Sequence, residues 1–169
     1  SYFLAAYEWE YAVLSFIVLG SIIPFFFFNA FGTKYKIFMG DTGSLILGFI
    51  VTVLVFRFNE MNGISSITPH FAAGPAFSFA VLIIPMFDTL RVFAIRVFRG
   101  GSPFKADQRH IHHILIDLGF THLQSTLILV LFNIAFIAFA YFFNYLGNSM
   151  LMYIMIPAAI MFSLVAILL

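Results

Sequence analysis

Three short polar clusters interrupt an otherwise apolar chain, and the first surrounds Asp41. In the stretch Asn29–Gly48 this carboxylate stands between Gly40 and Gly43, at the start of a long uncharged run. Glycines beside it would let a phosphate or a hydrated Mg²⁺ approach the backbone, and a carboxylate at membrane depth is costly unless it is functional. The same position also suits a helix N-cap, where the side chain accepts orphan backbone N–H groups. The residues alone leave both interpretations open.

The second cluster is Asp88–Arg99. Asp88 and Arg91 are three residues apart and share one face of a helix, so we predict a structural ion pair between them. Arg96 and Arg99 repeat this spacing. Guanidinium groups bind phosphate through paired hydrogen bonds, so these two side chains suit either lipid headgroups or a substrate diphosphate.

The third cluster, Gly100–Gly119, predicts a short amphipathic helix. Asp107 is placed to cap a helix over Gln108–Leu118, and Gly119 is placed to end it. At about 100° per residue, one side of this helix is apolar and the other is polar. The apolar side carries Ile111, Ile114, Leu115 and Leu118, and the polar side carries Arg109, His110, His113 and Asp117. We expect this helix to lie on the membrane or on its neighbours.

The histidines of this helix are close in sequence but do not share one face. The spacing of His110, His112 and His113 therefore argues against a three-histidine zinc site. A basic, imidazole-rich face is better suited to an anionic or nucleotide ligand. His113 and Asp117 are four residues apart and are predicted to form an orienting pair.

The composition of the chain indicates a membrane protein. Hydrophobic residues make up 63% of it and charged residues 9%, whereas soluble domains carry about 25% charged residues. Such a chain cannot cover itself with a polar surface in water, so we predict an all-α polytopic membrane protein. The absence of cysteine excludes disulfides and thiolate-bound metals.

Uncharged runs of suitable length divide the chain into about five spans. We predict transmembrane helices over about residues 11–28, 42–57, 71–90, 123–144 and 149–169, within a single membrane domain over 1–169. The last two spans are separated by the turn-forming residues Asn144, Gly147, Asn148 and Ser149. The amphipathic helix lies outside the spans.

The Lys and Arg residues are unevenly divided between the two sides of this arrangement. Of the 8 in the chain, only Arg57 falls on one side. The others are Lys34, Lys36, Arg91, Arg96, Arg99, Lys105 and Arg109. Because cytoplasmic loops carry the excess of positive charge, we expect loops 29–41 and 96–122 to be cytoplasmic, with the protein in the inner (plasma) membrane.

Taken together, three stretches resemble one enzyme family. They are Ile37–Gly48 (IFMGDTGSLILG), Pro85–Asp107 (PMFDTLRVFAIRVFRGGSPFKAD) and His110–His113 (HIHH). In this order, and separated by apolar spans, they resemble the polyprenyl-phosphate N-acetylhexosamine-1-phosphate transferases of glycosyltransferase family 4. The HIHH form is more similar to the undecaprenyl-phosphate GlcNAc-1-phosphate branch than to the peptidoglycan branch.

The resemblance implies a reaction, a cofactor and partners. A membrane polyprenyl phosphate attacks a UDP-sugar, which gives a polyprenyl-diphospho-sugar and UMP, in the first membrane step of cell-envelope polysaccharide synthesis. Mg²⁺, or Mn²⁺ in its place, is the implied cofactor. The implied partners are the UDP-sugar, the lipid phosphate, the membrane and a second copy in a homodimer, and no nucleic acid is expected.

The resemblance also implies site residues. Asp41 matches the family's metal-binding Asp and is the implied catalytic residue. The implied substrate-binding residues are Asn29, Lys36, Arg96, Ser102, Asp107, Arg109, His110, His112 and His113. One departure is local: the family often has Arg directly after the Asp before HIHH, whereas Gln108 follows Asp107 here and Arg109 comes next.

A larger departure concerns the extent of the chain. The family's adjacent Asp-Asp pair and Asn-rich motif precede the MGD loop, and neither occurs here. The chain also begins at Ser1 rather than Met. We therefore expect it to be the C-terminal half of a longer transferase, inactive without its N-terminal half.

Two other classes stay open on the sequence. One is a transporter or channel subunit that uses Asp88 and Arg91 inside the membrane. The other is a non-catalytic membrane subunit derived from the transferase family.

Overall fold

The architecture is helical throughout the described part of the chain. The computed structural model describes residues 2–31, 37, 39–64, 70–100 and 110–168, and no strand occurs within them. In chain order the helices are α1 (Tyr2–Ala5), α2 (Trp9–Phe31), α3 (Gly40–Asn62), α4 (Gly74–Phe98), α5 (Ile111–Asp117), α6 (His122–Phe142) and α7 (Gly147–Leu168), with a 3₁₀ turn at Asn144–Leu146. Five of them, α2, α3, α4, α6 and α7, are long and apolar enough to cross a membrane. This confirms the prediction of an all-α polytopic membrane protein.

The chain divides into two compact units, Ser1–Gly74 and Pro75–Leu169. In the first unit, Arg57 on α3 binds Glu8 at 2.9 Å and Glu60 at 2.8 Å, and its guanidinium lies 5.2 Å from the ring centroid of Tyr11. The sequence predicted that this span would end at residue 57. The helix continues to Asn62. Glu8 and Glu60 neutralise the guanidinium of Arg57, so its charge does not end the helix.

Asn62 fixes the start of the segment that follows α3. Its side chain donates to Phe71 O at 2.8 Å and accepts from Phe71 N at 2.7 Å. Asn62 is only 5% exposed. This exchange uses both polar groups of Phe71, which are then not free to join a helix. The span predicted to start at residue 71 therefore starts at Gly74.

In the second unit, α4 continues well beyond the predicted end at residue 90. Asp88 and Arg91 lie on the same helix and neutralise each other, so they do not interrupt it. At about 1.5 Å per residue, the 25 residues of α4 exceed a hydrocarbon core about 30 Å thick. Helix α4 is therefore long enough to extend past the hydrocarbon core or to cross it at a tilt.

Local signals fix both ends of α6. Thr121 and Gln124 form a capping box at its start. At the other end, the 3₁₀ turn and the positive φ of Gly147 (79°) separate α6 from α7. This confirms the predicted break near Asn144–Ser149. Asn148 then accepts a hydrogen bond from the backbone N–H of Ala76 on α4.

The two units differ in how much of their helices is buried. In the most apolar stretch of each helix, 6% of the residues of α2 and 0% of those of α3 are buried, compared with 33% of those of α4. Leu45, Phe49 and Phe56 on α3 are more than two-thirds exposed, at 73%, 71% and 73%, which suits contact with hydrocarbon rather than water. In contrast, Ala76 and Ala80 on α4 have no exposed surface.

Candidate active site

The first site residue, Asp41, lies in the first turn of α3. The helix begins at Gly40, whose φ is +66°, and its N-cap is Met39, which makes no side-chain cap hydrogen bond. The N-cap interpretation of Asp41 is therefore wrong, because the left-handed turn at Gly40 starts the helix one residue before it. Asp41 is exposed. Among the described residues its carboxylate has no hydrogen-bond or ion-pair partner, and only its backbone carbonyl is bound, by Ser44 Oγ at 2.9 Å.

Asn29 connects α2 to the segment before Asp41. Its side-chain amide donates to Ile37 O at 3.1 Å. Ile37 is three residues before Gly40, where α3 begins. The contact gives Asn29 a part in holding the segment that leads into α3.

The second unit contains a cluster built on Asp88. Asp88 Oδ1 accepts from Arg91 Nη2 at 2.9 Å and from Ile111 N at 3.0 Å. Asp88 Oδ2 lies 2.9 Å from His110 Nδ1. We call these four groups the Asp88 clasp. The predicted pairing of Asp88 with Arg91 is confirmed. No local pattern predicted the two contacts to the HIHH segment, since those partners are 22 and 23 residues away.

The clasp also changes where the amphipathic helix begins. The sequence predicted a helix over Gln108–Leu118 with Asp107 as its cap. The observed α5 starts at Ile111, and its N-cap is His110 in an extended conformation without a side-chain cap bond. The start prediction is wrong because Asp88 on α4 supplies the acceptor for the first helical N–H.

The other end of α5 follows the prediction. Gly119 has a φ of +96°. The N–H of Gly119 bonds Ile116 O and the N–H of Phe120 bonds Leu115 O, at 2.9 and 3.1 Å. This is the pattern of a Schellman motif, which needs a left-handed residue. The predicted helix stop at Gly119 is confirmed.

His112 has a partner that the sequence analysis missed. His112 Nε2 lies 3.3 Å from His122 Nδ1, and the two rings stack with centroids 5.5 Å apart. Burial lowers the pKa of His112, and the neighbouring His122 and His113 lower it further. The helix stop at Gly119, which turns the chain from α5 into α6, was the signal that could have placed His122 beside His112.

His113 does not form the predicted pair with Asp117. The ring of His113 instead meets that of His112 edge to face, at 5.9 Å between centroids. Asp117 is exposed at the end of α5. The predicted orienting pair is therefore wrong, since no hydrogen bond or ion pair joins these two described residues.

The remaining candidate residues are divided between described and undescribed positions. Arg96 lies in the last turn of α4 and is partly exposed. Lys36, Ser102, Asp107 and Arg109 lie outside the described residues, as do Lys34 and Lys105. Their predicted roles stay predictions.

A divalent cation fits this site only in one coordination mode. In the part of the chain that the structure describes, no three His, Asp or Glu side chains converge on a common point. Mg²⁺ usually keeps several water ligands and takes one or two carboxylates together with substrate phosphates. The exposed carboxylate of Asp41 matches that mode, and it does not match an all-protein cage.

Comparisons with known proteins agree with the motifs. The model of glycosyl transferase family 4 matches residues 1–59. The undecaprenyl-phosphate alpha-N-acetylglucosaminyl 1-phosphate transferase of Haemophilus influenzae is 32% identical over 125 residues, which cover 72% of this chain and 33% of the relative. The proteins of the same name from Escherichia coli K12 and Salmonella typhi are 31% and 33% identical, and each match covers 71% of this chain and 31% of the relative.

The chain spans about a third of the length of these curated relatives. No solved structure matches it.

Proposed function

Because the chain belongs to glycosyl transferase family 4, we propose that its protein transfers a sugar-1-phosphate from a UDP-sugar to a polyprenyl phosphate in the membrane. The sugar of the relatives' printed name, N-acetylglucosamine, is the first donor sugar to test. The products are a polyprenyl-diphospho-sugar and UMP.

The reaction forms one P–O bond and breaks another. A phosphate oxygen of the lipid attacks the phosphorus that carries the sugar, and the bridging P–O bond to the uridine phosphate breaks as UMP leaves. Phosphoryl transfer of this kind depends on positioning and on neutralising negative charge. The groups of this chain that serve those ends are Asp41, Arg96 and the HIHH histidines.

The proposal rests mainly on the surroundings of the Asp41 side chain. Its carboxylate is exposed and unpartnered among the described residues, at the start of a membrane-spanning helix. Gly40 before it has a φ of +66°, a conformation that favours glycine. Asp41 would hold Mg²⁺, which supplies charge neutralisation on the diphosphate when bound.

Two observations support the roles of the other groups. Arg96 lies in the last turn of α4, a helix long enough to reach past the hydrocarbon core, and there it would meet the phosphate of a lipid headgroup. The side chain of His110 is bound to Asp88, and 41% of it is still exposed. The transporter alternative has less support, because Asp88 is engaged by three donors rather than open to a transported ion.

The location and orientation belong to the same proposal. The chain is a multi-pass membrane protein. We place it in the inner membrane with loops 29–41 and 96–122 in the cytoplasm, on the basis of the Lys and Arg distribution.

The test is transfer of radiolabel by the intact protein in membranes. UDP-sugars labelled in the sugar are incubated with undecaprenyl phosphate and Mg²⁺, and both lipid-extracted label and released UMP are measured. We expect the two products in equal amounts, and loss of both with EDTA. Absence of lipid-linked label with every UDP-sugar tried, from protein that is folded, would overturn the proposal.

A further inference from the structure

We propose that Asp88 is a positioning residue, which fixes the tautomer and orientation of His110 so that Nε2 faces the ligand. The inference rests on the proposed function for the identity of that ligand. The geometry of the clasp can be tested independently of it.

A single carboxylate serves three donors from two elements. One oxygen takes the guanidinium of Arg91 and the first N–H of α5, at 2.9 and 3.0 Å. The other lies 2.9 Å from His110 Nδ1. An ionised carboxylate only accepts hydrogen bonds, so Nδ1 must carry a proton. The lone pair of the neutral ring is then on Nε2.

Burial across the clasp increases from the ring to the guanidinium. The side chains of Arg91, Asp88 and His110 are 6%, 17% and 41% exposed. The ion pair is thus the anchor, and the ring is the part that reaches outward. Because Nδ1 is bound to Asp88, Nε2 is the ring nitrogen that we assign to the ligand.

Asp88 fixes two things that α5 cannot fix by itself. The helix has 7 residues and no side-chain cap from its own N-cap residue, and helices of that length are not stable alone. Asp88 supplies the missing acceptor for the first N–H. Asp88 therefore sets both the residue at which α5 begins and the orientation of the His110 ring that precedes it.

The substitution Asp88→Asn separates these two effects. The amide oxygen still accepts from Ile111 N, so the start of α5 is retained. The amide nitrogen is now a donor facing His110 Nδ1, which moves the ring proton to Nε2. Replacing an orienting carboxylate with its amide imposes the wrong tautomer on a histidine in the same way in serine proteases.

The experiment uses the intact protein with ¹⁵N-labelled histidine rings in lipid nanodiscs. NMR at a pH where the rings are neutral shows which nitrogen of each ring carries the proton, and His110→Gln identifies the His110 signals. We expect an Nδ1–H ring in the wild type and an Nε2–H ring in Asp88→Asn. The variant should lose about 10–100-fold in kcat/KM, the size typical of an orienting partner.

The matched control is Asp117→Asn, which makes the same chemical change at the exposed end of the same helix. It should change neither the His110 tautomer nor kcat/KM. An Nε2–H ring in the wild type would overturn the proposal. So would Asp88→Asn with a switched tautomer and wild-type kcat/KM.

A second variant covers the case in which Asp88→Asn does not fold. In His110→Asn the side-chain N–H can replace Nδ1–H toward Asp88, while nothing replaces Nε2. We expect wild-type thermal stability with at least a tenfold lower kcat/KM, and wild-type kcat/KM would overturn the proposal. If the wild-type protein transfers no sugar phosphate at all, the proposed function fails, and the tautomer of His110 still decides whether the clasp is correct.

Discussion

The ring of His112 on α5 stacks on the ring of His122 at the start of α6, with Nε2 of the first 3.3 Å from Nδ1 of the second. One neutral ring donates to the other across this contact. A proton added to His112 would place charge in a partly buried site beside two further imidazoles. The pair is therefore a pH-sensitive point of the α5–α6 hairpin.

The first prediction concerns stability against pH. The pKa of His112 is lowered from 6.5 in the folded protein, first by burial and then by His122 and His113. As the pH falls below 6.5, the unfolded chain takes up the proton first, so stability decreases until the folded pKa is passed and then levels off. Melting curves between pH 8 and pH 5 should show this loss. His112→Gln should remove it, and His70→Gln, at an exposed histidine, should not. Equal pH slopes in all three proteins would contradict it.

The second prediction concerns Asp41→Asn. Asp41 is exposed and caps nothing, so the variant should lose less than about 1 kcal/mol, the scale of a helix-dipole contribution. A neutral amide cannot replace an anionic ligand of Mg²⁺. We expect turnover to fall to background with the melting temperature little changed. Asp117→Asn is the control, and near-wild-type turnover in Asp41→Asn would return this residue to a structural role.

The third prediction separates the histidines. His110→Ala in the intact protein should weaken UDP-sugar binding, measured by isothermal titration, because it removes the exposed ring of the clasp. His122→Ala should lower thermal stability and leave binding within about twofold, on the order of 0.4 kcal/mol. Zinc content, measured by mass spectrometry, should be the same in both variants and the wild type. Stoichiometric zinc that is lost with either ring would show that the histidines hold a metal.

The fourth prediction concerns Asn62 and Gly74. Asn62→Ala removes two hydrogen bonds at a residue that is 5% exposed, so we expect a loss of about 2–3 kcal/mol. Asn62→Asp keeps the acceptor for Phe71 N but sets a carboxylate oxygen against Phe71 O, so it should not restore the lost stability. A Cβ at Gly74 would collide with the Asn62 amide, so Gly74→Ala should also destabilise.

A double-mutant cycle checks the cause of that loss. In the Asn62→Ala background the collision is absent, so Gly74→Ala should cost much less than in the wild type. Chemical denaturation in detergent gives the four free energies of unfolding. Additive losses would show that the amide and the glycine act separately.

The fifth prediction concerns topology. The chain has no cysteine, so single cysteines report one position each. Thr33→Cys and Phe98→Cys should react with an impermeant maleimide only after the cytoplasmic side is opened, whereas Tyr145→Cys should react from outside. Labelling of Thr33→Cys and Phe98→Cys from opposite sides would contradict the proposed orientation.

Sequence patterns predicted the features that depend on neighbours along the chain. Uncharged runs indicated the five long helices, the three-residue spacing indicated the Asp88–Arg91 pair, and Gly119 indicated a helix end. The start of α3 was predicted at residue 42, with Asp41 as N-cap, and lies at Gly40, two residues earlier, since hydrophobic periodicity does not resolve a helix start that finely.

Contacts between distant residues were not predictable in the same way. Glu8 and Arg57 are 49 residues apart, and Asp88 and His110 are 22 apart. Nothing in a local pattern selects such partners, because any of several charged groups would satisfy the same pairing rule. The start of α5 was therefore assigned to the nearest carboxylate in sequence, Asp107, whereas among the described residues Asp88 accepts from the first helical N–H.

The fully covered alanines of α4 have a genetic consequence. Ala80 has no exposed surface and stands two helical turns before Asp88, so a bulky side chain there would shift the clasp without touching it. Alleles of this kind should be loss-of-function yet suppressible, by second mutations that shrink the side chains covering Ala80. Alleles at Asp41 should have no such suppressors, because the lost property is a charge rather than a shape.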